Sequence, residues 1–122
     1  MTAGIEWLIE AHGCDPAALT SRARLQAMFE AIVDGLQLHP LGEALWHQFP
    51  GSGGLTGVWM LTESHLACHT FPEHGSLTLN IFSCLPRPDW DASSWLRHEL
   101  GAASVDVRRM ERPYVSAVAP HR

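Results

Sequence analysis

The chain lacks a long apolar run, paired cysteines and a typical leader, and each absence narrows the class of protein. No stretch approaches the roughly 18 apolar residues of a membrane span, so a membrane protein is not expected. The first residues lack a basic region followed by an apolar block, so no signal peptide is predicted. The three cysteines, Cys14, Cys68 and Cys84, have no CxxC spacing, which favours free thiols in a reducing cytoplasm over disulfide bonds.

Positive charge is also scarce. The formal net charge is -5, and the only basic cluster is formed by Arg108, Arg109 and Arg112. A nucleic-acid-binding protein needs a larger basic surface, so nucleic acid is not expected as a partner. The chain has 122 residues, of which 46% are hydrophobic, and this is enough for a single domain with a core over residues 1–122.

Hydrophobic periodicity predicts six strands and two helices. Alternating apolar and polar residues are typical of half-buried strands, and apolar residues three and four apart indicate helices. The predicted strands cover residues 5–12, 41–49, 57–62, 66–71, 77–84 and 104–110, and the helices are capped by Thr20 or Ser21 and by Asp89 or Asp91. The order β-α-β-β-β-β-α-β favours an α+β two-layer sandwich, in which an antiparallel sheet carries both helices on one face. The other face of the sheet, or its edges, needs a partner, which predicts a dimer, and the tail from residue 113 is predicted to be loose.

Side chains that can attack, protonate or polarise are concentrated in and between the third, fourth and fifth predicted strands. These residues are Glu63, Ser64, His65, Cys68, His69, Glu73, His74 and Cys84. Because neighbouring side chains of a strand point to opposite faces, His69 and Phe71 are expected on one face. If Asn80 and Cys84 of the fifth strand share that face, the four side chains line one pocket, with Ser64 at its entrance.

Two other kinds of site fit the residue types less well. The side chains of His65, Cys68, His69 and His74 are zinc-ligand types, but Cys68 and His69 point to opposite faces of a strand. No second ligand pair follows at finger spacing, so no metal is expected. The glycine-rich run at residues 50–54 lacks the lysine and the following helix of a nucleotide-binding loop, which favours a flexible connector or a loop next to the substrate.

The central stretch resembles the prokaryotic S-adenosylmethionine decarboxylase family. The resemblance rests on Glu63-Ser64-His65, on His69-Thr70-Phe71-Pro72-Glu73 and on Phe82-Ser83-Cys84, whose mutual spacings match without gaps. It is closest over residues 47–84, and the order of elements fits most of the remaining chain. The family is dimeric, so the resemblance also implies a homodimer.

The resemblance implies that the chain cuts its own backbone between Glu63 and Ser64. Ser64 would attack the preceding carbonyl and become a pyruvoyl group, whose carbonyl forms a Schiff base with the substrate amine and draws off electrons during loss of CO2. His69 would assist the cleavage, supported by the hydroxyl of Thr56. Cys84 would be the general acid that returns a proton to the α-carbon.

By the same resemblance, the substrate is S-adenosylmethionine and the product is the aminopropyl donor of spermidine synthesis. Phe49 and Phe71 match aromatic positions that flank the purine and the sulfonium, which suits stacking and cation–π attraction. Glu73 matches the carboxylate that holds the ribose hydroxyls, since a carboxylate accepts two such hydrogen bonds.

Three positions and one loop depart from the family pattern. Phe71 replaces a common tryptophan, and the loop over residues 50–56 is one residue longer than in familiar members. Asn80 stands where the family usually has an aspartate, and Leu85 where it usually has a glycine. The change at Asn80 removes a negative charge near the site, so two alternatives remain open. One is a pyruvoyl-dependent decarboxylase of ornithine or arginine, and the other is an uncleaved relative that binds a nucleoside ligand or a partner without catalysis.

Overall fold

Six strands form one antiparallel sheet in the computed structural model, which describes residues 2–116. The strands are β1 (Ala3–His12), β2 (Leu45–Gln48), β3 (Leu55–Met60), β4 (Ser64–Phe71), β5 (Ser76–Ser83) and β6 (Ser104–Pro113). Their order across the sheet is β2-β3-β4-β5-β1-β6, and every neighbouring pair is antiparallel. The helices are α1 (Pro16–Leu19), α2 (Arg22–Leu36) and α3 (Ala92–Leu100), with a 3-10 turn at Pro72–His74. The predicted α+β sandwich and its order of elements are confirmed, and any structure beyond residue 116 lies outside the described residues.

The second strand is shorter than predicted. It covers Leu45–Gln48 rather than residues 41–49. Gly42 has a φ of 65°, a left-handed conformation that no extended strand contains, and Pro40 makes only an isolated bridge with Leu61. The chain therefore enters the strand only after this bend.

Local hydrogen bonds explain where the two long helices begin and end. The Ser21 side chain accepts a hydrogen bond from the Arg24 N–H at 3.2 Å, and Asp91 accepts one from the Ser94 N–H at 3.0 Å. Gly101 ends α3 in the left-handed conformation that glycine adopts without steric cost. The predicted capping residues are thus correct, with Ser21 and Asp91 chosen from each pair of candidates.

The helices cover one face of the sheet and leave the other uncovered. The core joins Leu25, Met28, Phe29, Ile32 and Leu36 of α2 to the inward side chains of the strands, which include Ile9, Leu66, Cys68, Leu79 and Ile81. The uncovered side, here called the open face, carries among others Thr56, Val58, Met60, His65, His69, Phe71, Asn80 and Phe82. Several of its apolar side chains are exposed, among them Leu45, Val58, Met60 and Phe71. Within residues 2–116, no helix has both the length and the hydropathy needed to cross a membrane.

Candidate active site

Ser64 is the first residue of β4 and lies at the tight connection from β3. The Leu61 N–H donates to the Ser64 carbonyl oxygen at 2.9 Å, which closes the connection. The Ser64 side chain is half-buried, and its Oγ lies 3.3 Å from Nδ1 of His65. The peptide bond before Ser64 is therefore held at a turn between two paired strands, with an imidazole beside the hydroxyl.

The carbonyl group of Glu63, which precedes Ser64, has a donor of its own. Its oxygen accepts a hydrogen bond from the Cys84 N–H at 2.9 Å. Cys84 directly follows Ser83, which is the register partner of Ser64 across β4 and β5. A backbone N–H aimed at a carbonyl oxygen polarises the carbonyl and can stabilise the negative charge that nucleophilic attack creates there. The Cys84 thiol is free and half-buried.

The Glu63 side chain is held in place by His39 and Arg87, and these contacts are here called the clamp. It is only 4% exposed, and its carboxylate accepts hydrogen bonds from the His39 N–H at 2.9 Å and from His39 Nδ1 at 2.6 Å. The Arg87 guanidinium lies 3.6 Å away. Burial alone would raise the pKa of Glu63, but the hydrogen bonds from His39 and from nearby groups outweigh it and lower the pKa to about 2. The carboxylate is therefore ionised, and the residue is fixed at both its main chain and its side chain.

A row of hydrogen-bonded side chains leads away from His65 across the open face. His65 Nε2 lies 2.7 Å from Asn80 Oδ1, and Asn80 Nδ2 donates to Glu6 Oε2 at 2.7 Å. Glu6 also pairs with Arg112. The hydrogen bond from Asn80, helped by Arg112 and opposed by burial, lowers the pKa of Glu6. The row joins β4, β5, β1 and β6 in turn.

A second cluster lies further along β4. His69 Nδ1 is 2.9 Å from the Thr56 hydroxyl, directly across the β3–β4 register. A cleft of about 340 Å³ opens beside this pair, and its lining includes Phe49, Ser52, Thr56, His69, Thr70, Phe71 and Glu73. Two aromatic rings and a carboxylate in one cleft are chemically suited to an aromatic ligand that carries hydroxyl groups.

The two clusters are separate within one protomer. Ser64 and His69 are five residues apart on one strand, a spacing of roughly 16 Å. His69 and Asn80 do share the open face and line a common cavity of about 210 Å³, as expected from strand alternation, but Cys84 does not line it. The structure thus groups Ser64 with Glu63 and Cys84, and it groups His69 with Thr56 and the cleft.

Three residues near Ser64 were not singled out by sequence patterns. Their contacts with the site span 24 residues for His39 and 74 residues for Glu6, and Arg87 reaches Glu63 across a loop. Such separations leave no short motif. Among residues 2–116, no group of three His, Cys, Asp or Glu side chains is placed to hold a metal ion.

Comparison with known proteins gives consistent matches. A family model described as S-adenosylmethionine decarboxylase matches residues 5–113. An S-adenosylmethionine decarboxylase proenzyme from Thermoplasma volcanium is 34% identical over 110 residues, which are 89% of this chain and 83% of that protein. The proenzyme of the same name from Clostridium tetani is 30% identical over 108 residues, or 86% and 82% of the two chains. The crystal structure of the adenosylmethionine decarboxylase from Aquifex aeolicus VF5 matches with a TM-score of 0.75, 25% identity and 98% coverage of both chains.

These matches, together with the antiparallel two-layer sandwich, define the class of the protein as a decarboxylase. The chain belongs to the S-adenosylmethionine decarboxylase family. The family predicted from the motifs around Ser64, His69 and Cys84 is therefore confirmed, and the comparisons also support its enzymatic function.

Proposed function

We propose that the chain is a proenzyme that cuts itself between Glu63 and Ser64 and then decarboxylates S-adenosylmethionine. One observation carries the proposal. The Ser64 hydroxyl lies beside an imidazole, and the carbonyl that it must attack accepts a hydrogen bond from the Cys84 N–H. A weak hydroxyl nucleophile needs both a base and a polarised target.

Position 64 suits a pyruvoyl group derived from the serine. The residue is half-buried at the start of a rigid strand, so a new chain terminus there stays in place. A pyruvoyl carbonyl supplies an electron sink for loss of CO2 from an α-amino acid. No metal is needed for that chemistry.

Cys84 is the proposed proton donor to the α-carbon. It follows Ser83, the register partner of Ser64, so its thiol lies near the terminus that cleavage creates. The other buried thiol nearby is less suited, because burial raises the pKa of Cys68 to about 12 and its side chain lies in the core on the helix side.

The cleft beside His69 is the proposed binding site for the nucleoside. Phe49 and Phe71 are both partly exposed, so their ring faces can receive a purine or a sulfonium. Glu73 lines the same cleft and can accept hydrogen bonds from two ribose hydroxyls. The lining thus offers a partner for each part of S-adenosylmethionine outside the reacting amino acid.

The structure favours this substrate over ornithine or arginine. The negative charge that Asn80 fails to supply is present next to it, since Asn80 donates to the ionised Glu6 carboxylate. The departure from aspartate is therefore compensated within hydrogen-bond distance. A basic amino acid also has no purine to stack on the aromatic pair of the cleft and no ribose hydroxyls to donate to Glu73.

We further propose a homodimer that joins the two clusters across protomers. Both clusters border the open face, whose apolar side chains have no cover in the described chain. A second copy packed against this face would bring the partner's His69 cluster towards Ser64. This arrangement reconciles the proposed roles of Ser64 and His69 with their separation within one chain.

Intact-mass measurement of the purified protein under denaturing conditions tests the proposal. The wild-type chain should give two pieces that meet between residues 63 and 64, and Ser64→Ala should stay whole. Cys84→Ala retains the backbone N–H but loses the thiol, so it should still be cut while CO2 release from S-adenosylmethionine falls at least about 100-fold. A wild-type chain that stays whole after long incubation would rule out self-cleavage, and CO2 release from ornithine or arginine instead would rule out the substrate.

A further inference from the structure

We infer that His65 is the general base that starts self-cleavage, and that Asn80 and Glu6 are positioning residues that fix its tautomer. The inference rests on the proposed function, because it concerns the first chemical step of that cleavage. It assigns to His65 a step separate from the assistance proposed for His69, which lies roughly 13 Å from His65 along the same strand.

Glu6, at the end of the row opposite His65, fixes the direction of the hydrogen bonds along the row. Glu6 is paired with Arg112, and its lowered pKa keeps it ionised at neutral pH, so both of its carboxylate oxygens only accept hydrogen bonds. The Asn80 atom that faces Glu6 must therefore be the amide nitrogen, which donates at 2.7 Å. This leaves the Asn80 carbonyl oxygen facing His65.

The orientation of Asn80 in turn decides where the proton of His65 lies. Nε2 of His65 is 2.7 Å from the Asn80 carbonyl oxygen, an acceptor, so Nε2 must carry the hydrogen. A neutral imidazole has one N–H, so Nδ1 is left with a free lone pair. That lone pair belongs to the nitrogen that lies 3.3 Å from Ser64 Oγ. An acceptor behind the imidazole plays the same part in serine hydrolases, where it fixes the tautomer that can take the hydroxyl proton.

The step that this geometry supports balances without any co-reactant. Ser64 Oγ forms a bond to the carbonyl carbon of Glu63 while His65 Nδ1 takes the hydroxyl proton. The oxygen that becomes negative accepts the hydrogen bond from the Cys84 N–H. The bond between that carbon and the Ser64 nitrogen then breaks, and the same proton passes from Nδ1 to the leaving nitrogen. The product is an ester of Glu63 on Ser64 Oγ with a free amine on Ser64.

His65→Gln tests the assignment, since glutamine keeps polar groups at this position but is not a base. Refolded precursor should be cut at least about 100-fold more slowly than wild type, the usual contribution of a general base. Hydroxylamine provides a second readout, because it attacks esters. In wild type, hydroxylamine should release the fragment of residues 1–63 with a hydroxamate at Glu63, while His65→Gln should give no such product. The matched control is His98→Gln on α3, whose side chain is 86% exposed, and it should be cut like wild type.

Asn80 variants separate positioning from a merely structural role. Asn80→Leu is similar in size but offers no acceptor to Nε2, so cleavage should slow about tenfold or more. Asn80→Asp restores an acceptor and should be cut faster than Asn80→Leu. These variants also keep the inference testable if His65→Gln does not refold.

The possible outcomes are distinct. A folded His65→Gln chain that is cut within threefold of the wild-type rate, or that yields the hydroxamate as wild type does, overturns the inference and leaves the proposed function intact. Equal rates for Asn80→Leu and wild type overturn the positioning role. A wild-type chain that stays whole overturns both the proposed function and the inference.

Discussion

At the scale of single residues, Glu63 has two attachments that act on opposite sides of its α-carbon. Its carbonyl oxygen is bound by the Cys84 N–H, and its carboxylate is bound by His39 and approached by Arg87. A residue anchored at both ends cannot rotate its carbonyl away from Ser64. The clamp therefore contributes both to the stability of the chain and to the orientation of the bond that we propose is cut.

The clamp should make the stability of the precursor depend on pH. The pKa of Glu63 is about 2 in the folded chain against an ordinary value of 4.5, so its contribution is complete above about pH 4.5 and is lost as the pH falls towards 2. The shift corresponds to a stabilisation on the order of 3 kcal/mol. In the uncut Ser64→Ala background, urea unfolding at several pH values should show a smaller acid loss for Glu63→Gln. An acid loss equal to that of the Ser64→Ala parent would contradict the clamp, and His98→Gln serves as the control.

Residues close together in sequence were the ones that sequence analysis could identify. Glu63 and Ser64 are adjacent, and the distance along the strand to His69 is a fixed spacing that a motif can carry. The clamp of His39 and the row through Glu6 depend on how distant segments meet in the fold. No local pattern encodes such contacts, so only the structure could reveal them.

At the scale of elements, helix α2 packs closely against the segment before α3 because Gly35 has no side chain. Gly35 lies on α2, and a Cβ atom built there would come within 2.2 Å of Cδ1 of the Trp90 ring. Trp90 in turn packs against Trp95 of α3, with ring centroids 6.4 Å apart. The indole ring thus fills the space that glycine leaves open, which explains a glycine inside a helix.

Gly35→Ala should therefore destabilise the chain although alanine is the better helix former. Helix propensity favours alanine by about 1 kcal/mol, but the clash with the half-buried Trp90 ring should cost more, for a net loss of about 1–2 kcal/mol. Urea unfolding in the Ser64→Ala background measures the difference. In a Trp90→Ala chain the ring is absent, so the same substitution at Gly35 should become stabilising. The same sign in both backgrounds would contradict the contact.

The helices and strands were largely predictable because the spacing of apolar residues differs between the two. Strand alternation and helical spacing gave all six strands and both long helices, since one face of each element is buried. The bounds of β2 were wrong because apolar residues stand on both sides of the bend, at Leu41 and at Ala44, while the backbone at Gly42 is left-handed. The short helix α1 is not among the two predicted helices, and Asp15 caps it.

At the scale of the whole molecule, the uncovered open face and the separation of the Ser64 and His69 clusters both favour the same partner. Exposed Leu45, Met60 and Phe71 favour burial, and the two clusters border this face about four or five residues apart along β4. A second copy of the chain satisfies both needs at once. In a twofold dimer each protomer would lend one cluster and receive the other.

Mixed dimers can test this arrangement. Ser64→Ala and His69→Ala chains should each stay whole when produced alone. When they are produced together, a mixed dimer has one site with both substitutions and one site with none. The His69→Ala chain should then be cut at its own Ser64 with help from the partner's His69, and intact mass identifies which chain was cut. If mixed dimers form, as seen by size-exclusion chromatography with light scattering, and neither chain is cut, the shared site is wrong.

The strand order has one more consequence for the proposed cleavage after Glu63. Residues up to 63 contribute β1, β2 and β3, while the later residues contribute β4, β5 and β6, and the order β2-β3-β4-β5-β1-β6 alternates the two pieces across three seams. Neither fragment can leave without breaking the three ladders that join it to the other, namely β3–β4, β1–β5 and β1–β6, so the halves remain together while folded. After denaturation, however, they must find each other by diffusion, and recovery becomes a second-order process that dilution slows. Cleavage would thus change folding from a unimolecular into a bimolecular reaction. The mature enzyme would then depend on its two fragments staying associated.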